Sequence, residues 1–127
     1  MKKVILDTNF LMIPFQFNVD ILSEIERVMM EPYTLFVLDK TIDELHRIVK
    51  LQKGKDKNSA KLALEYIKCK ADIIKTEEGK YVDDAIISLS DNETVVCTQD
   101  RNLKKRVKDN KAKIIEMKQK SYLFLSW

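Results

Sequence analysis

Glycine, proline and cysteine each occur only twice in this chain, and tryptophan and histidine once each. Two glycines leave no Gly-rich phosphate loop, which argues against nucleotide folds built around one. Cys69 and Cys97 stand far apart, so the sequence supports neither a disulfide framework nor a zinc knuckle. The apolar runs are too short to span a bilayer. The opening Met1-Lys2-Lys3, followed by a strand-like run that meets Asp7, is no signal peptide. The lone histidine, His46, stands two residues from Glu44 and on a helix points away from it, which leaves it a surface or packing residue. These absences describe a cytoplasmic protein with no membrane contact.

What is present suits one compact domain over residues 1–127: 45% of the residues are apolar and 34% charged. The net charge of +3 is unevenly spread. Residues 101–120 hold nine Lys or Arg against Asp109 and Glu116, and residues 47–61 hold six against Asp56. The remainder of the chain is therefore acidic. Basic flanks around an acidic centre suit a phosphate-backbone binder that holds metal, although lysines also decorate ordinary solvated helix faces.

Strand-like runs fall at Val4–Leu6, Thr34–Leu38, Asp72–Lys75, Thr94–Thr98 and Lys113–Met117. Helix-like stretches lie between them. Val19, Ile21, Leu22, Ile25, Val28 and Met29 form one amphipathic stripe with Asp20 at its start. A second helix runs from about Thr41 to Val49. The segment "QKGKDKN" reads as a loop, after which Asn58 or Ser59 caps a helix through Leu62, Leu64 and Ile67. "VDDAIISLS" and "RNLKKRVKDN" read as shorter helices. This alternation predicts a three-layer α/β/α sandwich around a central parallel sheet with right-handed crossovers.

In an open parallel sheet, sites form beyond the carboxyl ends of the strands. In "VILDTNFLM", Asp7 follows the first strand, and a carboxylate so near a core requires a partner or a cation. Asp39 follows the second strand, Glu44 falls early on the next helix, and Asp83 and Asp84 open the helix before the fourth strand. Thr98, Gln99 and Asp100 follow that strand. Singly, each acid has an ordinary role as a helix cap or first-turn residue. Together, Asp7, Glu44, Asp84 and Asp100 converge on one sheet edge, and an all-oxygen cluster favours magnesium or manganese.

"VILDTNFLM", "TIDELHRI", "VDDAIIS" and "VVCTQDRNLKKRV" resemble, in order and approximate spacing, the motifs of PIN-domain nucleases. The resemblance implies a catalytic quartet of Asp7, Glu44, Asp84 and Asp100, with metal on Asp7, Asp84 and Asp100 and support from Asn9 and Thr98. It implies a Mg2+- or Mn2+-dependent endoribonuclease that hydrolyses RNA phosphodiesters. The ending, with Asp100-Arg101-x-Leu103-Lys104 after the fourth strand, looks like the archaeal and eukaryotic branch that processes small-subunit ribosomal RNA. VapC toxins, which share the quartet, are the next relatives. Homodimerisation and a ribosome-assembly or antitoxin partner accompany these readings.

Other classes fit less well. A receiver-like domain needs an acid paired beside Asp7 and a phosphoacceptor Asp after its middle strand. A haloacid-type phosphatase needs Asp where Asn9 stands. A catalytically silent RNA-binding or scaffold PIN fold has no need of all four acids. Lys104, Lys105 and Lys108 share a helix face and form the expected RNA contact, with Arg106 turned away. The tail at residues 118–127, including Tyr122, Leu123, Phe124, Leu125 and Trp127, either closes the core and sheet edge or exposes an apolar interface.

Overall fold

The computed structural model describes residues 1–126; Trp127, part of the apolar tail, lies outside the described residues. The strands are β1 (Lys2–Leu6), β2 (Tyr33–Leu38), β3 (Asp72–Ile74), β4 (Thr94–Cys97), β5 (Lys113–Lys118) and β6 (Tyr122–Ser126). They form one sheet in the order β3-β2-β1-β4-β5-β6. All neighbours pair in parallel except β5 and β6, which are antiparallel. The helices are α1 (Thr8–Leu11), α2 (Ile13–Phe17), α3 (Ile21–Val28), α4 (Asp39–Leu51), α5 (Gly54–Lys70), α6 (Val82–Leu89) and α7 (Arg101–Asp109).

Period-two alternation along the strands sends neighbouring residues into two separate cores. Val4, Leu6, Val37, Val95, Cys97 and Ile115 pack on one face, with Ile21 and Ile25 of α3, Leu45 of α4 and Ala60, Ala63 and Ile67 of α5. Ile5, Leu38, Val96 and Ile114 pack on the other face, against Ala85 and Ile86 of α6 and Leu103 and Val107 of α7. This is the expected α/β/α sandwich, with a mostly rather than wholly parallel sheet. Both cysteines are free, and Cys97 is buried. No helix among the described residues is long and apolar enough to cross a membrane.

Two local expectations change. The "QKGKDKN" segment is mostly helix: only Gln52 and Lys53 separate α4 from α5, which starts at Gly54. Gln52 caps the end of α4, and Gly54 opens α5 at φ +64°, a left-handed conformation that glycine adopts at no Cβ cost. The first turn of α5 is polar and largely exposed, so it carries no apolar periodicity to read, and Ser59 is buried inside the helix rather than capping it. In the tail, β5 reverses through Gln119 and Lys120, both with positive φ, and Ser121 N–H closes the turn on the Lys118 carbonyl at 3.1 Å. β6 then buries Leu123 in the larger core and leaves Tyr122 and Phe124 partly exposed.

β1 pairs with β2 on one side and β4 on the other, while the chain steps from β3 back across β1 to reach β4. The strand order therefore reverses beside β1, and a crevice opens there at the carboxyl ends of the strands.

Candidate active site

Asp7 lies in that crevice, only 5% exposed. Its Oδ1 accepts from Thr8 N–H at 2.9 Å, which caps α1, and its Oδ2 accepts from the Thr98 hydroxyl at 2.8 Å. Thr98, fully buried just past β4, also accepts from Asp100 N–H at 3.1 Å. Asp100 in turn caps α7, its Oδ1 accepting from Leu103 N–H at 3.0 Å. One threonine thus ties the ends of β1 and β4 and the start of α7 into a single hydrogen-bonded unit. Across the crevice, the Thr8 hydroxyl donates to Glu44 Oε1 at 2.8 Å, which fixes this side chain of α4 against α1.

Burial pushes the Asp7 carboxyl up to about 6; its two hydrogen bonds oppose the rise, and the charges of Asp83 and Glu44 add to it. Asp83 is raised too, first by burial and then by the charge of Asp100. The first turn of α6 therefore contributes Asp83 to the electrostatics of the centre. Its neighbour Asp84 is drawn outward: its carboxylate pairs with Arg106 of α7 at 2.8 Å, with both side chains about half exposed. The motif spacing selects Asp84, and the structure brings Asp83 to the acids instead. Adjacent residues on a helix differ by about 100° in direction, so Asp83 and Asp84 point different ways, the first into the groove with Glu44 and the second to Arg106.

Of the supporting residues, Thr98 makes the contact just described. Asn9 is exposed and opens onto a different groove, with Gln16 and Gln52. The hydroxyl that holds the second acid belongs to Thr8, which the sequence reading passes over; its signal is its position at the first residue of a helix directly after a strand-end aspartate. Along α7, Lys104 leans back onto β5 and pairs with Glu116 at 3.4 Å, whereas Lys105 and Lys108 are exposed. Arg106 is turned away from these lysines, toward α6. His46 is exposed on α4.

The donors at the centre are all hard oxygens, which suits magnesium or manganese and not softer metals. Among the described residues, no group of three or more His, Cys, Asp or Glu is arranged to hold a metal ion. Magnesium commonly keeps several waters and takes only one or two carboxylates, so these acids fit a hydrated ion rather than an all-protein cage.

Comparison with known proteins gives consistent results. A family model described as a PIN-like domain matches residues 4–120. Ribonuclease VapC4 of Methanocaldococcus jannaschii is 34% identical over 126 residues, covering 96% of this chain and 95% of that protein. Among solved structures, the PIN domain endonuclease Utp24 superposes with a TM-score of 0.78 at 23% identity, over 97% of this chain and 90% of that one. VapBC-1 from nontypeable Haemophilus influenzae superposes with a TM-score of 0.57 at 15% identity, over 84% of this chain and 93% of the matched chain.

Proposed function

Because this chain belongs to the PIN-like domain family, we propose that it is a metal-dependent endoribonuclease that acts in the cytoplasm and hydrolyses RNA phosphodiester bonds. The observation that carries the reading is the Asp7–Thr98–Asp100 unit facing the Thr8-held Glu44 at the strand-order reversal. The ribonuclease name of a relative 34% identical over nearly the whole chain supports it.

In this reading Asp7 and Asp100 would hold a hydrated Mg2+ or Mn2+, with Asp83 close by in the place the motif gives to Asp84. Such an ion, when bound, would supply a water of lowered pKa and offset the charge of the phosphodiester. Thr98 fixes the Asp7 carboxylate so that its remaining lone pairs face the crevice. Thr8 occupies Oε1 of Glu44, which leaves Oε2 to take the proton of the attacking water. Asp84 keeps Arg106 in place and so braces α6 against α7.

Asp7→Asn and Asp100→Asn are each expected to abolish cleavage of single-stranded RNA while binding survives. Asp83→Asn should lower kcat about a hundredfold or more, and Asp84→Asn by less than about tenfold. Activity retained in an Asp7→Asn/Asp100→Asn double variant would sink the catalytic assignment, and the opposite ranking of the two α6 variants would return Asp84 to the centre.

Two biological roles follow, each with its own support. The Asp100-Arg101-x-Leu103-Lys104 run favours ribosomal RNA processing with a ribosome-assembly partner. The VapC4 relative favours a toxin ribonuclease held by an antitoxin. Depletion in the native cells separates them: a processing enzyme leaves unprocessed ribosomal RNA precursors, whereas a toxin leaves the precursors unchanged and arrests growth when overproduced.

A further inference from the structure

A groove of about 480 Å³ runs out of the acidic centre between α4 and the start of α6. Its inner walls are Glu44 and Asp83, the two acids whose charges bear on Asp7. Its outer walls are Arg47, one turn beyond Glu44 on α4, and Tyr81, the residue just before α6. We infer that this groove seats the nucleotide next to the scissile phosphate of a single-stranded RNA, with its base stacked on Tyr81 and its phosphate on Arg47. The inference rests on the ribonuclease reading and specifies how that site takes its substrate.

Tyr81 is 81% exposed, so its ring adds nothing to either core. Nor does its side chain cap α6. Exposed aromatic residues are ordinary when scattered over a surface, but this one stands on the lip of the groove that drains the acidic centre. The segment that presents it is pinned. Asp39, at the start of α4, accepts from the Thr76 hydroxyl at 2.6 Å and the Thr76 N–H at 3.2 Å. The Thr76 hydrogen bond holds the Asp39 carboxyl below its ordinary range, and Lys40 reaches Thr76 and the Glu77 carbonyl. The clamp holds the start of the segment that leads to Tyr81, so less backbone freedom is lost there when a base arrives.

The cations of the groove divide cleanly. Lys40 is committed to that clamp, and Lys80 lies near Ser88 and Glu77. Arg47 is exposed and makes no ion pair or side-chain hydrogen bond with any described residue. It is the guanidinium available to a phosphate, for which its planar fork is suited. An aromatic face beside a free cation, one step from a phosphodiester-cleaving centre, is the arrangement that binds unpaired RNA, because only an unstacked base can lie on the ring.

The test uses the full chain with Mg2+ or Mn2+ and a fluorescently labelled six-nucleotide RNA. Tyr81→Ala should raise KM and weaken RNA binding by roughly five- to a hundredfold with kcat little changed, and Tyr81→Phe should restore both. Arg47→Gln should flatten the plot of log affinity against log salt by about 0.7. Replacing one nucleotide at a time by an abasic residue should reveal one position where wild type loses affinity and Tyr81→Ala loses nothing further. A wild-type enzyme that cleaves RNA while Tyr81→Ala and Arg47→Gln bind and cut it equally well overturns the groove and leaves the nuclease standing. A wild-type enzyme that neither binds nor cuts RNA with either metal overturns the nuclease reading itself, and the groove assignment with it.

Discussion

Asp7 is a carboxylate folded into a place that penalises its charge. Its pKa rises from 3.8 to about 6, so the native state binds this proton more tightly than the unfolded chain does. The stability it contributes is therefore complete below pH 3.8 and is lost as pH rises through about 6. At neutral pH the ionised form costs about 3 kcal/mol. Asp7→Asn removes that cost, so in EDTA at pH 7.5 the variant should melt above wild type, by on the order of ten degrees at most. The difference should vanish near pH 4. Magnesium or manganese should raise the wild-type Tm and barely move the variant, because an ion that binds only the folded state stabilises it by mass action. A wild-type Tm that is the same in EDTA and in both metals counts against the site. At this scale the sequence reads well where position in the chain decides placement: Asp7 and Asp100 sit at strand ends, and Glu44 lies on the helix that follows a strand. It reads poorly where direction decides. Asp83 and Asp84 are adjacent and chemically identical, and only the phase of α6 against the sheet separates them.

Among the elements, the strands with β-branched buried runs are the ones a sequence reveals, and β1, β2, β4 and β5 all fall where those runs predict. β6 is harder to read. In Tyr122–Ser126 almost every residue is apolar, so composition does not show the alternation by which Leu123 enters the core while Tyr122 and Phe124 face outward. The missed first turns of α5 have the opposite cause: a solvated turn of Lys, Asp and Asn carries no apolar stripe. The burial of Leu123 makes a sharp contrast available. Leu123→Ala should lower unfolding stability by about 2–4 kcal/mol, the usual cost of truncating a packed leucine. Phe124→Ser, at a side chain 46% exposed with Lys118 Nζ 5.6 Å from its ring, should cost less than about 1 kcal/mol. Urea titration with unchanged m-values checks both, and equal losses at the two positions would mean that β6 does not pack as described.

Over the whole molecule, acids gather at the strand-order reversal and exposed cations stand on two sides of it. The groove with Arg47 opens between α4 and α6, and the exposed Lys105 and Lys108 lie along α7, which starts at Asp100. Because Lys104 is held by Glu116, α7 offers an RNA two lysines rather than the three its spacing suggests. On the ribonuclease reading, an RNA strand that crosses the centre would have its phosphates neutralised on both sides, each contact releasing counterions independently of the others. The slope of log affinity against log salt should therefore fall by about 0.7 for Arg47→Gln, by about 1.4 for Lys105→Gln/Lys108→Gln, and by about 2.1 for the triple variant. Well-separated sites add in this way when neither reshapes the other. Lys104→Gln alone should leave the slope unchanged, because its ammonium is already paired. A triple variant no flatter than Arg47→Gln would confine the RNA to the α4–α6 side and leave the α7 lysines as a solvated face. A triple variant matching Lys105→Gln/Lys108→Gln would instead route the strand along α7 and away from Arg47.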